Sequence, residues 1–332
     1  MFCRAPFDCL DVCHLHASPC CRLWLAEECH VNWSSLPDPW AIWNCEPFQV
    51  LRRSILDGSF RFCRGCPRWI DRDLRDTPDD SCQPVMQRGP FVVNFGTDSV
   101  CNLRCWTCYL HPGEPYTDPA DRALREAELR SFAAAFFPTS AISTFQTAGD
   151  PLASPMYRRF LQELDLEGRV QPTIRLFTNR QLLTTYWPTL QKIHRNIRSL
   201  WISIDAATRE TYERVRCGAS WDHLIESLQF ARHQRLHGAV TDLQFNFVVR
   251  ATNWREMPNF VDLGRRFAAD RVDFGLFRRM WHPDAVFHAE NIAAPSHPDH
   301  QAYCETITDP IFAPPFVQGA FRTSFCPVAA VG

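Results

Sequence analysis

The chain has 332 residues, 45% of them hydrophobic, and a net charge of −2. That length suits one large α/β domain plus a smaller one, with enough apolar residues for a buried core. Acidic and basic residues are mixed with no basic stripe, which argues against a nucleic-acid partner, and no run of 18 apolar residues is present to span a membrane.

The start, MFCRAPFDCLDVCHLH, has no charged segment followed by an apolar one. It does not read as a secretory signal, so a soluble cytoplasmic protein is expected. Cysteine is the abnormal residue, with 16 in all and ten before residue 83. Secreted disulfide scaffolds are short and exported. In a reducing cytosol, clustered cysteines more often bind metal. Lys192 is the only lysine and lies in an ordinary helical stretch, which argues against a pyridoxal phosphate Schiff base.

Residues 1–86 are rich in Cys, Trp and Pro, with one helix-like stretch, EPFQVLRRSIL. A segment so poor in regular pattern needs a metal to hold it. Cys63-x2-Cys66 is a chelating pair, and Cys20-Cys21 with Cys3 could complete a site. On spacing alone, zinc and iron–sulfur are both open. Trp24, Trp33, Trp40, Trp43 and Trp69 are expected to pack around that centre. RDLRDTPDDSCQP reads as the linker into the next domain.

Residues 87–285 change character. Six short β-type runs appear in order: PFVVNFGTD, AISTFQTAG, TIRLFTN, SLWISID, DLQFNFVVR and RVDFGLFRR. Between them lie segments of helical spacing. ADRALREAELRSFAAAFF puts Leu124, Leu129, Phe132 and Phe136 near one face, and Pro258 falls near a helix start, where it is tolerated. Strands alternating with helices predict a parallel sheet of βαβ units. Six units closing part-way would make a partial (β/α)6 barrel, whose chemistry sits at the C-terminal strand ends. Cys101 follows the first strand, Gly149-Asp150 the second and Asn179 the third; Asp205 ends the fourth.

Residues 286–332, rich in Pro and aromatics, are expected to pack over the barrel. Cys304 and Cys326 there are expected to be small buried hydrophobes, and His282, His288, His297 and His300 to be mostly solvated.

The run DSVCNLRCWTCYLHPGEP holds Cys101, Cys105 and Cys108 with no fourth cysteine nearby. A [4Fe–4S] cube normally takes four thiolates; three from one loop leave one iron open, as a catalytic zinc leaves a position open. A zinc site completed by a distant ligand such as His111 is the alternative, but zinc knuckles prefer paired spacings from two places.

Cys101-x3-Cys105-x2-Cys108 after a first strand resembles the radical S-adenosylmethionine (SAM) superfamily. The resemblance implies an open iron that chelates the amine and carboxylate of SAM. It also implies one-electron cleavage to a 5′-deoxyadenosyl radical, which takes a hydrogen atom from substrate. Thr107 stands where an aromatic residue is frequent, with Trp106 before it. TAGDPLAS is similar to the Gly-Gly-Glu-Pro motif, whose backbone holds the SAM amino group; Ala148 and Asp150 replace the first Gly and the Glu, and Gly149 allows close approach. LFTNRQLL resembles the Thr-Asn-Gly strand end, with Asn179 kept and Arg180 in place of Gly. In LWISIDAATRETYERVRCG, Ser203 and Arg216 match positions that contact the ribose and carboxylate of SAM, with Asp205 at the same mouth. The resemblance covers roughly residues 90–285.

The cysteine-rich front resembles the SPASM or twitch domains of that superfamily, placed N-terminally. It implies an auxiliary [4Fe–4S] cluster on Cys3, Cys21, Cys63 and Cys66, with Cys20 or Cys82 as substitutes. Cys9, Cys13, Cys29 and Cys45 are spare or serve a second cluster. Cys217 could return a hydrogen atom to a substrate radical, or could be a small buried hydrophobe. The implied activity is oxidation, cross-linking or epimerisation of a peptide or a sugar-containing metabolite, with an external electron donor such as flavodoxin or ferredoxin. A non-catalytic iron–sulfur or zinc scaffold and an RNA-modifying radical enzyme are the alternatives.

Overall fold

A computed structural model describes the chain apart from residues 14–15, 22–24, 33–37, 64–65, 67–75, 107, 109–117, 147–148, 167, 169–170, 280–281, 320 and 322–332. Ala148, Thr107, His111, Cys326, Trp24, Trp33 and Trp69 therefore lie outside the described residues. The chain divides into two units: residues 1–99, 115–148 and 163–175 form one, and 100–114, 149–162 and 176–332 the other.

In the first unit, helix α1 (Ala5–Asp8) leads into strand β1 (Cys9–Cys13), followed by β2 (His16–Ser18) and β3 (Val31–Asn32). Helices α2 (Pro39–Trp43) and α3 (Glu46–Leu56) come next; α3 covers the stretch read as helical. Strand β4 (Val92–Gly96), helix α4 (Pro119–Phe136) and strand β5 (Ile142–Gln146) complete the unit. β4 pairs in parallel with β5 on one side and with β1 on the other, in the register Leu10↔Val93 and Val12↔Phe95. β1 continues antiparallel to β2, and β2 to β3. The cysteine-rich front is thus laddered onto the strand that precedes the three-cysteine loop. The reason is periodicity two: Leu10 and Val12 of CLDVC are buried while Cys9, Asp11 and Cys13 alternate with them. Phe95 stacks on Phe145 at 5.3 Å between centroids.

Helix α4 begins at Asp118, whose carboxylate accepts from the Ala120 N–H, with Pro119 in its first turn. Its buried stripe is Arg125, Glu128, Leu129, Phe132, Ala133 and Phe136. Leu124, expected on that stripe, is exposed. Arg125, one step round the helix, takes the inward position, paired with Asp121 at 2.8 Å and donating to the Thr97 carbonyl at 2.6 Å.

The second unit contains helix α5 (Pro155–Glu163, its last residue in the first unit), the end of strand β6 (Thr173–Thr178) and the short helix α6 (Leu183–Tyr186). Strand β7 (Ile197–Ser203) follows, then helices α7 (Arg209–Val215) and α8 (Trp221–Leu236) and strand β8 (Asp242–Val249). Helix α9 (Met257–Arg266), with Pro258 in its first turn, leads to strand β9 (Arg271–Leu276). Helices α10 (Asp284–Glu290) and α11 (His300–Thr306) and strand β10 (Val317–Gly319) come last. β7, β8, β9 and β10 pair in parallel in that order. All six runs expected as strands are strands, β4 to β9. The class is α/β with a parallel sheet, in the strand–helix alternation of a partial (β/α)6 barrel.

The C-terminal segment contributes β10 beside β9, with Val317 opposite Val272. Gly319 adopts φ +120°, and a Cβ there would run into the Phe274 backbone. Phe274 is the hub of this packing, with Phe247, Phe260, Phe312 and Phe321 within 5.2–5.8 Å.

Candidate functional site

The three-cysteine loop is anchored by the end of α7. A helix leaves its last carbonyls without intrahelical partners. Here the loop supplies them: Trp106 N donates to Val215 O and Arg104 N to Cys217 O, both at 2.9 Å. Gly218 takes φ +90°, which turns the chain out of α7 beside the loop. Within the loop, Cys108 N donates to Cys105 O at 3.0 Å, closing a tight turn around the x2 spacing.

N–H groups converge on the sulfurs. Leu103 N donates to Cys101 Sγ at 3.4 Å, and Asn179 Nδ2 approaches the same sulfur at 3.7 Å. Arg216 Nη1 donates to Cys105 Sγ at 3.5 Å. Burial pushes the Cys101 thiol up to about 11, with the Leu103 N–H opposing. A bound metal replaces that proton and makes the thiolate tolerable in such surroundings. The donor set, three cysteines with N–H groups at the sulfurs of Cys101 and Cys105, fits an iron–sulfur centre, whose behaviour is set by hydrogen bonds to sulfur. Among the described residues, no three His, Cys, Asp or Glu side chains are gathered closely enough to hold one metal ion. A cube takes each thiolate on its own iron, so it does not require that.

Around the loop, the strand ends are cross-braced. Asp150, at the second strand's end, is buried, and its N–H donates to Val100 O at 2.9 Å. Its carboxylate accepts from Thr178 Oγ1 at 2.7 Å, Asn179 N at 2.6 Å and Leu152 N at 2.9 Å. Burial outweighs these hydrogen bonds and raises its pKa. Asn179 Nδ2 also donates to Asn102 Oδ1 at 2.9 Å, tying β6 to the loop. Asp205 holds φ +64° at the end of β7. Its carboxylate pairs with Arg216 Nη2 at 2.8 Å and accepts from Val248 N at 2.7 Å. Burial pulls the Arg216 guanidinium down, but Asp205 and Cys105 outweigh it and hold it above the ordinary arginine range. Arg216 thereby bridges a buried carboxylate to the Cys105 thiol.

Gly149 lies in the same unit, next to Asp150. Ser203 ends β7 opposite Asn246. The Cys217 thiol donates to the Arg214 carbonyl at 3.2 Å, beside the loop that its own carbonyl anchors. Several residues at this mouth had no motif to announce them. Asn253 Nδ2 donates to Asp205 O and Val248 O. Arg250, at the end of β8, pairs with Glu290 at 3.0 Å and lies 5.5 Å from the Trp106 ring. Gln181 links Tyr212 and Ser220. All three follow strand ends, the position where barrel chemistry is expected.

In the first unit, burial is the largest influence on Cys20 and Cys63. It raises Cys20 well above its usual value, with the charges of Cys3, Asp11, Cys21 and Cys9 adding. Cys63 is pushed up to about 12 by burial and then by Cys3, Cys66 and Cys29. Cys21 is exposed, Cys29 buried within an apolar cluster, and Cys82 buried with its thiol at 3.6 Å from Asp79 Oδ1. Trp43 is buried, donating to Arg88 O at 2.9 Å, and Trp40 packs on Phe136 at 5.3 Å. Cys304 is disulfide-bonded. His297 and His300 are half-buried, and their rings hydrogen-bond the backbone carbonyls of Ala289 and Ile292; His288 is exposed.

Residues 99–263, just under half of the chain, match the profile of the Radical SAM superfamily. No curated protein matches the chain. Among solved structures, Streptococcus suis SuiB bound to its precursor peptide SuiA is 13% identical with a TM-score of 0.46, over 84% of this chain and 64% of that one. SuiB bound to S-adenosylmethionine gives 14% and 0.43, over 84% and 63%. TYW1 with a lysine–pyruvate adduct gives 13% and 0.42, over 67% and 73%. The chain thus spans under two thirds of the SuiB chains. Among the described residues, no helix is long and apolar enough to cross a membrane.

Proposed function

We propose that the chain is a radical SAM enzyme. Cys101, Cys105 and Cys108 would hold a [4Fe–4S] cluster with one open iron, and SAM would bind there. The observation that supports this most is the three-cysteine loop, inside the matched span, with Asn179 and Arg216 directing N–H groups at its sulfurs. When bound, cluster and SAM together supply one-electron cleavage of the sulfonium C–S bond and a radical able to take a substrate hydrogen atom.

The chain's own residues orient and enclose. Asp150 spends its carboxylate on Leu152, Thr178 and Asn179, which leaves backbone rather than side chain to meet the SAM amino group. Arg216 steadies Cys105 and balances Asp205. Gly149, Ala148, Asn179, Ser203, Asp205 and Arg216 would line the nucleotide, and Cys217 would return a hydrogen atom to a substrate radical. The substrate would be a ribosomally made peptide or a sugar-containing metabolite, oxidised, cross-linked or epimerised, with flavodoxin or ferredoxin as electron donor. Residues 1–86 would carry an auxiliary [4Fe–4S] cluster.

The test is electron paramagnetic resonance of the reduced, anaerobically reconstituted protein. Adding SAM should shift the g-values of one cluster signal, and Cys105→Ala should lack that signal. A spectrum unmoved by SAM would refute the reading.

A further inference from the structure

Strand β1 sits beside β4, and one of its residues completes a polar row across the sheet. Asp11 lies opposite Asn94 of β4, and Asn94 lies opposite Thr144 of β5. Residues at one register level share a face, because side chains alternate along each strand. The other face is the helix side. Leu10, Val12 and Val93 are buried there, and Phe95 stacks on Phe145 at 5.3 Å and meets Phe137, at the end of α4, edge-on at 5.8 Å. The row of Asp11, Asn94 and Thr144 therefore lies on the face that a (β/α) barrel turns inward.

The row is short of hydrogen-bond partners. Asn94 Nδ2 donates to Asp11 Oδ1 at 2.5 Å, and no Arg, Lys or His among the described residues pairs with that carboxylate. With Nδ2 spent on Asp11, Asn94 keeps Oδ1 as an acceptor. Thr144 is 1% exposed, and its hydroxyl has no hydrogen-bond partner. A buried hydroxyl left unmet is unfavourable, and a carboxylate without a cation beside it calls for positive charge.

A primary ammonium answers all three groups. It carries one positive charge and three N–H donors. Neighbouring strands stand about 4.8 Å apart, so a nitrogen placed over Asn94 reaches acceptors on the strands to either side. A carboxylate or phosphate would be repelled by Asp11, and a hydroxyl brings one donor to three acceptors. We propose that Asp11, Asn94 and Thr144 form a binding site for a primary amine, the amino group of the substrate. The inference rests on the radical SAM reading for what is done to that substrate, and it names the class as amine-bearing. β1 lies outside the span that matches the superfamily profile, so the charged member of the site comes from this chain's own N-terminal segment.

The experiment is calorimetric titration of the anaerobically reconstituted full chain with n-butylamine, n-butanol and tetramethylammonium, the last a cation without N–H donors. n-Butylamine should bind about tenfold or more tightly than the other two, the worth of one charge-assisted hydrogen bond. Equal binding of n-butylamine and tetramethylammonium overturns the site, since charge alone then accounts for it. Asp11→Asn, with its circular dichroism unchanged, should raise the Kd for n-butylamine by about tenfold or more. Thr144→Val is the second arm. Relieved of an unmet hydroxyl, the ligand-free variant should melt at a higher Tm, yet bind n-butylamine about threefold or more weakly. Unchanged binding in both variants overturns the proposal. Nα-acetyl-lysine amide and glucosamine carry the amine on a peptide unit and on a sugar, and the tighter binder names the source. The binding readout needs neither SAM nor cleavage. Release of 5′-deoxyadenosine without amine binding overturns this site alone, and amine binding without release overturns the radical reading while supporting the site.

Discussion

Arg216 shows how much of this site depends on single side chains. Its guanidinium meets Asp205 at 2.8 Å and Cys105 at 3.5 Å, and both members of the ion pair are almost wholly buried. Breaking a buried pair leaves an uncompensated charge, which typically costs about 3–5 kcal/mol. Arg216→Ala should therefore destabilise the protein by that order in urea unfolding. It should also lower the reduction potential of the reconstituted loop cluster, because a positive N–H donor leaves a cluster sulfur. An unchanged potential in a folded Arg216→Ala would remove Arg216 from the site. The three-cysteine loop was legible in the sequence because its spacing alone sets it apart. The roles of Asp150 and Asp205 were not. A carboxylate's partners depend on which strand ends meet it: Thr178 is 28 residues from Asp150, and Val248 is 43 from Asp205.

At the level of elements, periodicity carried the six strands of the barrel region, since each is a short β-branched or aromatic run between helical segments. It failed where other signals masked it. β1 is five residues long, and its alternating Leu10 and Val12 are hidden among cysteines that read as metal ligands. β10 is three residues, VQG, after two prolines, and is specified by its neighbour β9 rather than by itself. Gly319 there needs φ +120° and the absence of a Cβ. Gly319→Ala should lower stability by about 1–3 kcal/mol, read as a lower Tm. Helix α4 carries a second prediction. Burial pushes the Glu128 carboxyl up to about 8, so the folded state keeps a proton that the unfolded chain releases near 4.5. Stability from this group is fully present below about pH 4.5 and is lost as pH rises through about 8. Glu128→Gln, which stays neutral, should flatten the fall in Tm between about pH 6 and 9. An equal fall in both proteins would show that Glu128 is not its source.

Across the whole molecule, the cysteines divide by the work their surroundings permit. Three lie in a loop anchored by helix-end carbonyls and met by N–H groups. Cys20 and Cys63 pack against an apolar cluster in the first unit. Others, such as Cys29, simply fill space. Composition singles out the cysteine-rich front, but its junction with β4 is not readable there. The parallel ladder between β1 and β4 joins residues 83 positions apart, and nothing local in either strand names its partner. At the strand ends Arg250 meets Glu290 and the Trp106 ring without any recognisable motif.

The most direct measurement is 5′-deoxyadenosine release. The anaerobically reconstituted protein, given SAM and a strong reductant such as dithionite, should form 5′-deoxyadenosine and methionine in equal amounts, and Cys105→Ala should form neither above background. Intact SAM after prolonged reduction of a fully iron-loaded protein, or a tetrahedral zinc at Cys101, Cys105 and Cys108, would contradict the account.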